Sequence, residues 1–332
     1  MKKFSKLFLS LAAVAAFASA SLAANMTLTA VVAGLPESSP SGKALKVFAQ
    51  KVEEYSKGSL KVDTFFDADL GTLVACVEGM AQGTIDVVST GTSYFSGYVP
   101  EIQVFELPFM FNSNEEARKT LDGAPGDEIR KLFTDKGIVL LCYWESGLRH
   151  VTNSRNPIVK PSDMNGLKIR TVVSVTQQET WKAFGALPMA IDMTETFTAL
   201  QQGTVDAQEN TLAQIVTTKM YEVQKYLSLT GHAYTPMPFG ISRQTWEQLD
   251  DEQKAAVQKA SEEARDYQRS LDDISDRENV QFFKDHGIVV EENPDKAAFA
   301  ALSGPVYDIF IKQVGTDKYF NMVRDFVAGL RK

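Results

Sequence analysis

The chain has 332 residues, 44% of them hydrophobic and 23% charged, with 34 Lys+Arg against 42 Asp+Glu and a formal net charge of −8. That is the composition of a folded globular protein of about two domains, not of a disordered or fibrous one. Its acidic balance excludes a nucleic-acid binder, whose affinity comes from neutralising phosphates.

Residues 1–24 read as a cleaved Sec signal peptide. Lys2, Lys3 and Lys6 give the positive start, Leu7 to Phe17 the apolar core, and Ser21-Leu22-Ala23 a small-residue cleavage site. Removing this segment takes the charge from −8 to −11. No later run reaches the roughly 18 apolar residues of a membrane helix. A soluble protein exported to the periplasm is expected. The two cysteines, Cys76 and Cys142, leave open either one disulfide or two separate buried thiols.

Strands are predicted over Thr27–Val32, Ile85–Ser89, Ile138–Trp144, Leu167–Ile169, Val205–Gln208 and Ile288–Val290. Two passages recur in order. Gly58-Ser59-Leu60-Lys61-Val62 is matched by Gly166-Leu167-Lys168-Ile169-Arg170, and Gln82-Gly83-Thr84-Ile85-Asp86 by Gln202-Gly203-Thr204-Val205-Asp206. Each Gln-Gly-Thr follows a helical segment and precedes a β-branched run, with glycine where a helix ends in the left-handed conformation. Each half therefore reads as strand, helix, glycine turn, strand, which asks for a parallel sheet. Further on, Asp250 and Gln253 form a capping box, and no Gly or Pro interrupts the chain until Gly287. A helix of about 35 residues and ~50 Å is predicted there, long enough to run along both halves.

Catalytic signatures are missing. His150, His232 and His286 lack zinc spacing, and no nucleophile elbow, phosphate loop, dinucleotide fingerprint or Cys-x-x-Cys occurs. Asp67-Ala68-Asp69 with Glu78 lacks the position-5 carboxylate and the glycine placement of a calcium loop. It reads as a turn entering a helix. No cofactor or metal is expected. An enzyme acting on an organic acid and a ligand-sensing periplasmic protein are the competing classes.

In open parallel sheets ligands lie beyond the carboxyl ends of the strands. There the sequence places Gly34 to Ser39, Thr90 to Tyr94, Arg170-Thr171, Glu209-Asn210 and, after the turn at Gly147, Arg149. Arg170 interrupts an apolar strand and needs an anionic partner. That partner is either a bound organic anion, held by the planar guanidinium fork, or an internal acid such as Glu145 or Asp192.

The passages Gly166–Arg170, Phe184-Gly185-Ala186-Leu187-Pro188, Thr198 to Asn210, Phe105-Glu106-Leu107-Pro108-Phe109 and Lys219 to Leu227 resemble the periplasmic solute-binding proteins of TRAP transporters, the DctP type. The resemblance covers essentially the whole chain after the signal peptide. It implies an α/β, two-lobed periplasmic binding protein fold, each lobe a mainly parallel sheet flanked by helices, with a long helix spanning both. Lobe I is expected over 25–146 plus about 236–270 and lobe II over 147–235 plus about 271–303. Residues 304–332 form a C-terminal helical segment packing on the lobes.

By the same resemblance Arg170 grips a ligand carboxylate, Arg149 assists, Asn210 hydrogen-bonds the ligand, and Thr90 and Thr92 add polar contacts from the first lobe. Ser38, Ser39 and Met237 complete the candidate site. Met193 stands where many relatives have a phenylalanine, Thr211 where a proline is usual, and Asp192 where a small residue is common. Facing the cleft, Asp192 would favour a ligand with hydroxyl or amino donors. The expected ligand is a small organic acid anion, a hydroxy or sugar acid ahead of a sulfonate or phosphate ester. The expected partners are the small and large integral membrane subunits of the transporter, and the expected state is a monomer.

Overall fold

A computed structural model describes residues 26–332, so the signal-peptide expectation for 1–24 lies outside the described residues. Eleven strands are found among the described residues: β1 (Met26–Ala33), β2 (Leu60–Asp67), β3 (Val87–Ser89), β4 (Ile138–Leu148), β5 (His150–Asn153), β6 (Lys168–Thr171), β7 (Leu187–Ala190), β8 (Ala207–Asn210), β9 (Tyr226–Ser228), β10 (Tyr234–Ser242) and β11 (Val289–Glu291). They form two sheets, ordered β2-β1-β3-β10-β4 and β11-β9-β5-β8-β6-β7. Both are mainly parallel, as expected. In the first, only β10 runs against the rest, and in the second only β5 does.

The antiparallel strands are the ones that arrive from the other sheet. β4 closes the first sheet and, one residue later, β5 opens the second, with Arg149 alone between them. β9 ends in the second sheet at Ser228, and the chain returns through β10 to the first. The Arg149 N–H donates to the Ala233 carbonyl at 2.8 Å, so the two crossing segments are bonded to each other where they pass between the sheets.

The halves do repeat, but not in the way the matched passages suggest. The order β2-β1-β3 corresponds to β7-β6-β8, so β6 is the counterpart of β1, not of β2. Gly58–Val62 enters an edge strand and Gly166–Arg170 an inner one. The second pair is equivalent in structure as well as in sequence. Asp86 Oδ2 accepts the Thr29 N–H at 2.7 Å in β1, and Asp206 Oδ2 accepts the Lys168 N–H at 3.1 Å in β6. Each aspartate also returns its own N–H to the same residue's carbonyl. The recurring Asp therefore ties the third strand of each unit to its first.

The long helix spans Asp251–Asp285, 35 residues, with the expected capping box between Asp250 and Gln253. It packs on β4 of the first sheet and reaches β11 of the second. Gln268 brackets the backbone of Glu145, accepting its N–H at 3.2 Å and donating to its carbonyl at 2.5 Å. The helices Gly304–Val314 and Lys318–Leu330 bury Val306, Phe310, Val323 and Val327 in a core shared with Phe105 and Phe133. Trp144 and Phe239 stack at 4.2 Å across β4 and β10 in a second core. Cys76 and Cys142 belong to these different cores and are both free thiols. Separate buried thiols are thus the arrangement found. Among the described residues no helix is long and apolar enough to cross a membrane.

Candidate functional site

The carboxyl ends of β1, β3, β6 and β8 converge on one cavity between the sheets, closed at the back by β4 and β10. It spans about 520 Å³, its solvent-open mouth included. Gly34 lets β1 end there: its φ is +79°, and a Cβ would stand 2.9 Å from the Leu73 side chain on the facing helix. Across the cleft, the Ser174 and Thr176 hydroxyls donate to Gln103 Oε1 at 3.1 and 3.0 Å, linking the loop after β6 to the first-sheet side.

Arg170 is fully buried in β6, between β7 and β8. Its Nε donates to the Ile191 carbonyl at 2.8 Å, while among the described residues neither Nη1 nor Nη2 makes a hydrogen bond of normal geometry, the Tyr94 phenol lying near enough only to favour the charge. Neither acid that could have claimed it does so. Glu145 is paired with Arg118 and accepts the Tyr234 hydroxyl at 2.6 Å. Asp192 Oδ1 accepts the N–H and hydroxyl of Thr194 at 3.0 and 2.9 Å, capping the helix Met193–Gln201. Burial depresses the Arg170 pKa, Arg149 adds to this, and the Tyr94 phenol and Glu209 oppose it. An unpartnered buried guanidinium costs more than an ordinary lost hydrogen bond. Here it faces a cavity.

Arg149 lines the same cavity but is differently employed. Its Nε and Nη2 bind the two Glu209 carboxylate oxygens at 2.5 and 2.9 Å, and Nη1 donates to the Thr235 hydroxyl at 3.3 Å. Burial works against both charges, and the pairing overcomes it. The Arg149 pKa rises, and Arg149 with His232 holds Glu209 down at about 2. Arg149 therefore joins the strands at the crossing point, where the sequence suggested a second hand on the ligand.

Of the other candidates, Thr90, Asn210, Met193 and Met237 line the cavity. Asn210 Nδ2 meets only the Met193 sulfur, at 3.8 Å, so its amide protons stay largely unspent. Four candidates lie elsewhere, each for a local reason. Ser38 is exposed in the turn after β1. Ser39 caps the helix Pro40–Tyr55, accepting the Gly42 N–H at 3.0 Å and donating to the Pro36 carbonyl at 2.7 Å. Thr92 is buried behind the wall in a short 3₁₀ turn, where its hydroxyl, without forming a full hydrogen bond, partly offsets the burial that raises the Glu106 pKa. Asp192 caps its helix through Oδ1 and is not among the cavity-lining residues.

Ser93 and Tyr94, from the stretch expected after β3, also line the cavity, together with walls the sequence reading passed over: Glu106, Gln177, Gln214 and Thr235. Glu106 is 3% exposed and stands alone in the apolar run Val104-Phe105-Glu106-Leu107. The rule that singled out Arg170, one charge inside an apolar stretch, would have found it. Gln177 carries an unpartnered buried Oε1. Among the described residues no group of three or more His, Cys, Asp and Glu is placed to hold a metal ion.

The family model of DctP, the bacterial extracellular solute-binding proteins of family 7, matches residues 31–313. The chain belongs to the DctP family. This DctP-family protein is 38% identical over 305 residues to the 2,3-diketo-L-gulonate-binding periplasmic protein YiaO of Escherichia coli, covering 92% of each chain. Its fold matches the TRAP periplasmic solute-binding protein of Polaromonas sp. JS666, bound to D-erythronate, with a TM-score of 0.86 and 34% identity over 90% of this chain and 98% of that one. It likewise matches the sugar acid binding protein DctPAm of Advenella mimigardefordensis in complex with galactonate, with a TM-score of 0.87 and 32% identity over 91% of this chain and 98% of that one. The two-lobed architecture is thus that of solute receptors, and the DctP-family protein is a solute-binding protein.

Proposed function

We propose that this DctP-family protein is the periplasmic receptor of a TRAP transporter for a hydroxy or sugar acid. Arg170 receives the ligand carboxylate on Nη1 and Nη2, and Asn210 adds a donor. The observation that carries the reading is the Arg170 fork, buried, unpaired and turned to a cavity between two sheets. A carboxylate supplies two parallel acceptors at the spacing that fork requires. The relatives bound to erythronate and galactonate support the choice of an acid with hydroxyls.

The lobes divide where the sheets exchange strands, lobe I over 25–146 with about 236–270 and lobe II over 147–235 with about 271–303. Hinge closure on the ligand selects the shut form, which the small and large membrane subunits then recognise. The protein is exported by its signal peptide, acts as a monomer and converts nothing.

Calorimetric titration with galactonate and D-erythronate tests this. The wild-type protein takes up one equivalent and returns it chemically unaltered by mass spectrometry. Arg170→Ala abolishes the heat, and Arg170→Lys restores charge without the fork and recovers little. Binding undiminished in Arg170→Ala would sink the assignment.

A further inference from the structure

The cavity is not polar in the same sense at its two ends. At the Arg170 end the free groups are mostly donors, two terminal guanidinium nitrogens and the Asn210 amide, with the Gln177 Oε1 the unpartnered acceptor on the helix after β6. At the far side, Glu106 Oε2 accepts the Ser93 hydroxyl at 2.7 Å and Oε1 accepts the Thr235 hydroxyl at 3.0 Å. Those two hydroxyl protons are consumed, so toward the cavity Ser93 and Thr235 offer only oxygen lone pairs. Each Glu106 oxygen keeps a second acceptor direction. Among the described residues no cation bonds Glu106 directly. Arg149 favours its charge without bonding it, having committed its fork to Glu209 and one Nη1 bond to the Thr235 hydroxyl. This wall therefore presents acceptors around a buried carboxyl, whose pKa burial raises against the pull of the Thr92, Ser93 and Thr235 hydroxyls and of Arg149.

We infer that Glu106 determines specificity at this site, accepting hydrogen bonds from the hydroxyls of a polyhydroxylated monocarboxylate and turning away acids that carry a second carboxylate. The inference rests on the reading that Arg170 takes the first carboxylate. A hydroxyl brings the proton this wall lacks. A second carboxylate brings none, and its charge would add to the burial that already disfavours the Glu106 carboxylate. A site built to hydrogen-bond a hydroxyl leaves its own buried groups unpaired when the hydroxyl is missing. A hydroxy acid pairs with both ends. A dicarboxylate pairs with one.

D-Erythronate and succinate have the same carbon count, but succinate carries a second carboxylate in place of the terminal hydroxymethyl group and lacks the hydroxyls on C2 and C3; they are the probes for a calorimetric comparison of wild type, Glu106→Gln and Arg170→Ala. The wild-type protein prefers erythronate by more than tenfold, and Glu106→Gln loses about tenfold to a hundredfold in erythronate affinity. Succinate is held or gains, so the ratio narrows. Arg170→Ala loses both. A wild-type protein that binds succinate as tightly as erythronate overturns the inference without any variant, and so serves even if Glu106→Gln does not fold. An unchanged ratio in Glu106→Gln, with both ligands lost in Arg170→Ala, overturns the role of Glu106 and leaves the proposed function standing. Erythronate binding that survives Arg170→Ala, or no uptake of erythronate, galactonate or succinate by wild type, overturns both.

Discussion

Arg149 and Glu209 face each other across β5 and β8, the guanidinium Nη2 giving one bond to Glu209 Oε1 and another to the Glu209 carbonyl, both at 2.9 Å. His232 adds a 3.2 Å contact to the same carboxylate. The pair sits at the single residue where the chain leaves the first sheet for the second, so it stiffens the crossing and keeps a negative charge in the cleft from competing for Arg170. Removing one partner of a buried pair strands the other. Glu209→Ala should therefore lose about 3–5 kcal/mol in urea denaturation, whereas Arg149→Met combined with Glu209→Leu should lose far less.

Arg170 itself should show the opposite sign. Its two orphaned nitrogens are kept for a ligand at the expense of the ligand-free protein. Arg170→Met fills a similar length without polar atoms, and should raise the stability of the ligand-free protein by about 1–3 kcal/mol while abolishing organic-acid binding. Calorimetric melting of ligand-free wild type and variant checks it. A variant less stable than wild type would show that the guanidinium is paid for by contacts within the fold.

Stability should fall on mild acidification, and His150 gives the window. Burial first, then the charges of His232, Lys296 and Arg149, bring its pKa down to about 3. Its Nδ1 also accepts the Gly231 N–H at 3.1 Å, which needs an unprotonated nitrogen. In the unfolded chain the ring titrates near the ordinary value of about 6.5. Between those values the unfolded state binds the extra proton, so stability is full above about 6.5 and drops as the pH falls toward 3, by up to about 1.4 kcal/mol per pH unit. His150→Gln, which can still accept from Gly231, should flatten the urea midpoint between pH 6.5 and 4. An undiminished slope in that variant would assign the effect to other groups.

The thiols should be silent in the native protein. Burial pushes Cys142 up to about 12 and raises Cys76 as well, so neither is a thiolate at neutral pH. A colourimetric thiol assay should detect none in buffer and both in denaturant, and reductant should leave the melting temperature unchanged.

Local signals carried much of this. The capping box at Asp250 and Gln253 marks the start of the long helix, and the left-handed glycines at 83 and 203 mark helix ends, with φ of +80° and +70°. Other elements were hidden for identifiable reasons. β10 holds Pro236 and Pro238, which argue against a central strand. It is tolerated because β3 pairs only with Phe239–Ile241, leaving 234–238 without a neighbour on that flank. That open flank is where Thr235 and Met237 meet the cavity.

The sequence by itself determined the two α/β units, the long bridging helix, the family, and the presence of one arginine misplaced in an apolar strand. These follow from periodicity, caps and lone charges, which act over a few residues. Only the tertiary structure decided which polar groups were spent. Ser39 and Asp192 went to helix caps, Arg149 to Glu209, and Glu106 to an acceptor wall, while Arg170 was left free. Whether a buried charge finds a partner depends on residues distant in the chain, because a hydrogen bond is satisfied by whatever folding brings within about 3 Å of it.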